Sequence, residues 1–170
     1  MRKPEGEAAD AEAIARTHPA IAALARRRHR MLFVRPRPAH RGEGEGDGQL
    51  VVGFFDYEEN RSVVALVDPR AGTVTSVEHL PAAFQLSEEE QREAETLAAG
   101  DARVQTRLRG RSMNPLTRLF FPPDAAGRPP AHRHAIVFLR PTPRERYYAV
   151  VDLSADAVVE VLTRRDLTGR

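Results

Sequence analysis

The chain has 170 residues, 41% of them hydrophobic, enough for one ordinary domain or two small ones. Its 26 basic and 24 acidic side chains leave a formal charge of +2, which excludes a strong positive field, and the lack of cysteine excludes disulfides, thiolate nucleophiles and Cys-type zinc or iron–sulfur sites. No stretch approaches the roughly 18 consecutive apolar residues of a membrane span, and the first residues lack the apolar region of a signal peptide, so a cytoplasmic protein without a membrane partner is expected.

In chain order, Ala8 to Arg28 carries a helical pattern broken at His18-Pro19, where proline suits the first position of a new helix. Leu32 to Pro36 reads as a strand, and residues 41–48 alternate glycine with acid and can bury nothing. Leu50 to Phe55, Val63 to Asp68 and Val74 to Val77 are valine-rich strands, the last two joined by the turn Asp68-Pro69-Arg70-Ala71-Gly72. The first unit ends near Leu80 to Phe84. Ser87 precedes Glu90 by three residues, a capping box, and opens a second helix that breaks at Gly100-Asp101 and runs to about Arg111. Strands follow at Leu119 to Pro123, Ala135 to Leu139, Tyr147 to Asp152 and Val158 to Val161, with a proline-rich loop at residues 122–130.

The second half repeats the first. At an offset of 84, Ala65, Val67, Asp68, Ala71, Val74 and Val77 meet identical residues at 149, 151, 152, 155, 158 and 161. The same offset sets Val51 to Phe55 against Ala135 to Leu139, while Leu32 to Pro36 matches Leu119 to Pro123 at an offset of 87. The unit is one kinked helix followed by four antiparallel strands, used twice: residues 8–80 and 84–165. Asp68 and Asp152 are expected to cap their own turns. Phe54, Phe55, Phe120, Phe121 and Phe138 are expected on the sheet faces beneath the helices. Because Val51-Val52, Phe54-Phe55, Val63-Val64 and Ala135 to Leu139 are continuous apolar runs, these strands are expected to be covered on both faces, by the other unit, a second copy or another protein.

The stretch Val63 to Arg111, with Val67-Asp68, Val74, Val77-Glu78, Leu80-Pro81, Leu86 and the acidic helix start, then Asp101 to Gln105 and Leu108 to Arg111, resembles the small amino-terminal domains of copper amine oxidases. Through the repeat the likeness extends loosely over residues 8–165. It implies an α+β fold of two tandem cystatin-like units, each a curved antiparallel sheet around a kinked helix. The catalytic domain of that family is not expected: Asn60 precedes Arg61 and Asn114 precedes Pro115, so neither begins the Asn-Tyr-Asp/Glu tripeptide that matures to the quinone.

Few residues suggest chemistry. His132 and His134 lie at strand spacing, as two metal ligands could, but a third would have to come from His79, His40, His29 or His18, none of them local; solvated histidines are the expected reading. Tyr147 or Tyr148 could serve as an acid at the mouth of a helix–sheet cup, and Asp56, Glu78 or His79 would support that if buried beside a pocket. The arginines at 26–30 and at 107, 109 and 111 suit helix ends, are offset by acidic stretches, and come with no nucleic-acid motif, so nucleic acid is not the expected partner. No catalytic residue, cofactor or metal is assigned. The sequence points to a non-catalytic accessory or scaffold protein that binds a protein partner or itself as a homodimer; the alternative is a small-molecule binder, or a cofactor-free isomerase or cyclase, using the cup.

Overall fold

The computed structural model describes residues 4–38, 48–80, 84–122, 131–142 and 145–168. Residues 41–47, His40, residues 81–83 of the expected boundary and residues 123–130 of the proline-rich loop lie outside them. The chain forms two compact units, Met1–Phe84 and Gln85–Arg170. In the first, α1 (Pro4–Thr17) and α2 (Pro19–Ala22) lead through a 3-10 turn (Ala23–Arg26) into β1 (His29–Pro36), β2 (Leu50–Asp56), β3 (Arg61–Asp68) and β4 (Thr73–Leu80). In the second, α3 (Glu88–Gly100) and α4 (Ala102–Leu108) precede β5 (Leu116–Phe120), β6 (His134–Leu139), β7 (Tyr147–Asp152) and β8 (Ala157–Thr163), and α5 (Arg164–Thr168) closes the chain. Each unit holds one four-stranded antiparallel sheet with its strands in chain order. The expected mixture of helices with two such sheets is present.

Both helical breaks have the expected cause. The His18 ring accepts the Ala20 N–H at 3.3 Å with Pro19 opening α2, and the Asp101 carboxylate accepts the Arg103 and Val104 N–H groups at 2.8 and 3.3 Å. The hairpin turns are built alike. Asp68 accepts from the N–H groups of Arg70 and Ala71, and Asp152 from those of Ser154 and Ala155. The left-handed position is Gly72 (φ 66) in one turn and Asp156 (φ 53) in the other, the residue types that tolerate it. A bulge follows at Leu66/Val67 and at Val150/Val151, so β3–β4 and β7–β8 correspond at the expected offset of 84.

The other strands do not keep that offset. Ala65 pairs with Val52 and Ala149 with Val137, so β6 corresponds to β2 at 137 − 52 = 85. Val34 pairs with Val52 and Thr117 with Val137, so β5 corresponds to β1 at 117 − 34 = 83, against the expected 87. The helices also follow 83: buried Ala11, Ala15 and Ile21 correspond to buried Ala94, Ala98 and Val104. A one-residue slip exchanges the faces of a strand. Phe54 packs with Ala11, Ala15, Ile21, Val52 and Val63 on the helix side, but Phe120 and Phe138 lie on the opposite side with Ile136, Tyr148, Val150 and Leu162, and Phe121 is 56% exposed. The expectation that all five phenylalanines lie beneath the helices is therefore corrected for Phe55, Phe120, Phe121 and Phe138. The helix side of the second sheet is instead Thr117, Ala135, Val137, Leu139, Ala149 and Val151, all buried.

Away from the helices the two sheets differ. Gly53 sits under the Phe33 ring, which a Cβ there would meet at 2.6 Å, and that ring stands edge-on to Phe84 and beneath the Arg35 guanidinium. The corresponding pair in the second sheet is Phe138 and Leu116. Ile136, Val150 and Leu162 are buried there, and Leu167 of α5 packs against their cluster.

The start of α3 is held by an ion pair that the capping pattern did not disclose. Glu90 closes the capping box by accepting the Ser87 N–H at 2.8 Å, and both its oxygens also accept from Arg133, at 2.6 and 3.0 Å, with neither side chain exposed. Arg133 donates in addition to the Gln85 carbonyl, so helix start, preceding segment and entry to β6 are joined. Removing either partner strands the other charge in an apolar interior. Glu90→Ala and Arg133→Ala are each expected to cost about 3–5 kcal/mol in denaturant unfolding, whereas Glu90→Leu combined with Arg133→Met should cost less than either single change.

Candidate functional site

A gathering of exposed cationic side chains belongs to α4. Val104 and Leu108 bury one side of this helix, which turns Arg103, Thr106 and Arg107, at i, i+3 and i+4, to the other. Asp101 fixes Arg103 by accepting from Nε at 3.1 and 3.3 Å and from Nη2 at 2.8 Å, and Arg103 also donates to the Val158 carbonyl of β8. That pairing with Arg103 holds the Asp101 carboxyl below its ordinary range despite some burial. The helix ends at Arg109, whose φ of 52° is left-handed and whose N–H bonds the Gln105 carbonyl; Gly110 follows at φ 76°. Tyr147 enters from β7, its ring 5.6 Å from the Arg107 guanidinium. Arg103, Thr106, Arg107, Arg109 and Tyr147 line a concavity of about 380 Å³. Among the described residues Arg107 and Arg109 have no carboxylate partner, while Arg111 is paired with Glu145 at 2.7 Å.

His132 and His134 come together at the opposite end of β7. Their rings stack at 6.4 Å, and Asp152 takes His132 Nδ1 at 2.6 Å with His134 Nε2 at 3.9 Å. Burial disfavours the charged Asp152, but the His132 bond, the Ala155 N–H and the two imidazoles together outweigh it, so the carboxyl titrates below its ordinary value. Asp152 thus works as turn cap and as acceptor for the His132 imidazole, with the His134 ring beyond hydrogen-bond distance. Among the described residues no three histidine, aspartate or glutamate side chains gather as a metal would require.

The remaining residues singled out in sequence serve the backbone or stand apart. Asp56 is fully buried, accepts the Glu58 and Glu59 N–H groups at 3.1 and 3.2 Å, and pairs with Arg27 at 3.1 Å. Glu78 and His79 are exposed on β4, His18 caps α2, and His29 faces the Arg27 carbonyl and Arg16. Tyr148 is buried in the cluster away from the helices and Tyr147 is half-buried at the concavity. Sequence reasoning named Arg107, Arg109 and Tyr147 separately and missed Arg103 and Thr106; the three- and four-residue spacing on α4 was the available signal. The chain matches no family model and no curated protein.

The lowered Asp152 value sets a sign for pH. Its contribution to stability is present above the ordinary carboxylate range, near pH 4, and fades as pH falls through the lower folded-state value. Asp152→Asn retains an oxygen for the turn but loses the charge. It is expected to cost about 1 kcal/mol at neutral pH, with the difference from the parent protein vanishing in acid in urea titrations run down the pH scale.

Proposed function

We propose that the chain is a non-catalytic accessory or scaffold protein, two cystatin-like modules resembling the amino-terminal domains of copper amine oxidases, acting through protein–protein contact. The observation that carries this reading is the employment of the candidate catalytic groups: Asp56 and Asp152 hold turns, Glu90 and Arg133 hold a helix start, and His132 and His134 lean on Asp152. The helix sides support it further. In the first unit Ala11, Ile21, Leu24, Val52, Phe54 and Val63 pack into one apolar cluster where a cup would need an opening lined by an ionisable group. Asp56, Glu78 and His79 do not line the concavity, which weighs against the isomerase or cyclase alternative.

Self-association through a sheet edge is the contact proposed. Outer-face residues of β6 and β7 are already buried in the single chain, so the apolar strands no longer demand a second copy. The short strand β5 is an edge of its sheet, and Leu116 at its start and Phe121 just beyond its end are 44% and 56% exposed. Light scattering at micromolar concentration is expected to give a dimer, with Leu116→Asp plus Phe121→Asp returning a folded monomer. A monomeric parent protein would transfer the scaffold reading to a different partner.

A further inference from the structure

We propose that the concavity on α4 binds a phosphate-class dianion, with Arg107 and Arg109 as its principal ligands and the Tyr147 ring as one wall. The Arg103 guanidinium belongs to the same wall but is held by Asp101 and the Val158 carbonyl, so it supplies a positioned charge. A phosphate monoester brings three acceptor oxygens and nearly two negative charges. Guanidinium forks match such oxygens in pairs, whereas one carboxylate would leave most of these donors unused. The volume of about 380 Å³ accommodates a phosphorylated side chain or a small phosphate ester.

The helix alone does not require these arginines. Its carboxy-terminal end favours cations near the last turn, which accounts for Arg107 and Arg109 but not for Arg103. Arg103 lies in the first turn, where the helix field opposes it. Arg109 occupies a left-handed position that glycine fills without strain, and Gly110 is next in line. A non-glycine residue at that position, lining a concavity and with no carboxylate beside it among the described residues, points to a ligand. The other unit supplies a control within the same chain. Its corresponding stretch, Pro19–Arg26, reads Pro-Ala-Ile-Ala-Ala-Leu-Ala-Arg: Arg26 matches Arg109 at the helix offset of 83, but Ala20, Ala23 and Leu24 stand where the second unit has Arg103, Thr106 and Arg107, and Val63 where it has Tyr147. Two sheets of one strand order are thus built with and without Arg103, Arg107 and the aromatic wall. The inference does not rest on the scaffold reading, because a free phosphate ester and a phosphorylated partner segment present the same group.

The test is NMR titration of the full chain, at constant ionic strength, with inorganic phosphate, a phosphoserine peptide, its unphosphorylated form and its Ser→Glu form. Phosphate and the phosphopeptide are expected to move the Nε–H signals of Arg103, Arg107 and Arg109 and the ring signals of Tyr147 saturably. Arg107→Gln with Arg109→Gln should weaken phosphopeptide binding at least tenfold. Arg109→Gly should weaken it too, while raising the melting temperature by a few degrees, an opposition of stability and binding that a purely structural arginine would not show. Phosphopeptide binding more than tenfold tighter than inorganic phosphate identifies a phosphorylated partner segment, and comparable affinities identify a small phosphate ester. Absence of saturable shifts, equal binding of the Ser→Glu peptide, or undiminished binding by the folded double variant overturns the proposal. None of these outcomes depends on whether the protein is dimeric.

Discussion

Strand register is the constraint on which the remaining structure depends. Side chains alternate across a strand, so each pairing decides which half of its residues meets a helix and which half faces away. In both units the decision is anchored at the hairpin whose aspartate, Asp68 or Asp152, collects two backbone N–H groups before a bulge. From that fixed point Val63, Ala65 and Val67 meet the first helix, and Ala149 and Val151 occupy the same positions in the second sheet.

Polar interactions act at the ends of elements and apolar ones in their middles. The Glu90–Arg133 pair differs in that both of its partners are unexposed. It sits in an unexposed position, yet Glu90 Oε2 also accepts the Ser87 N–H and Arg133 Nη2 also donates to the Gln85 carbonyl. A buried ion pair adds little over a well-packed apolar substitute, and its use lies in specificity. Here the bonded atoms define where α3 starts relative to β6.

Much of the architecture was legible because its signals are local. The Ser87–Glu90 box, the Asp101 cap, the His18-Pro19 break and the two aspartate turns each lie within a few residues, and all are present as read. Registers were less legible. Val51 to Phe55 and Ala135 to Leu139 are apolar throughout, so alternation carries no phase there, and identity at neighbouring strands suggested an offset wrong by one. The first strands share little beyond Leu-Phe, which matched at 87 instead of 83. The site was legible only in fragments. Tyr147 lies 38 positions beyond Arg109 (147 − 109), and nothing in either neighbourhood announces the other. Arg133 was equally hidden, flanked by two histidines that drew the attention of spacing arguments while it turned to Glu90.

The Phe33–Gly53 contact limits the order in which such sheets can change. The second sheet holds Leu116 and Phe138 at those positions, so across the repeat the bulk has moved from edge strand to neighbour. Enlarging residue 53 while the Phe33 ring remains in place drives two side chains into one volume, whereas trimming the ring first leaves a surface gap that a larger neighbour can fill. Exchange of the first arrangement for the second therefore begins at the edge strand and the reverse exchange at its neighbour, an order imposed on two positions 20 residues apart (53 − 33).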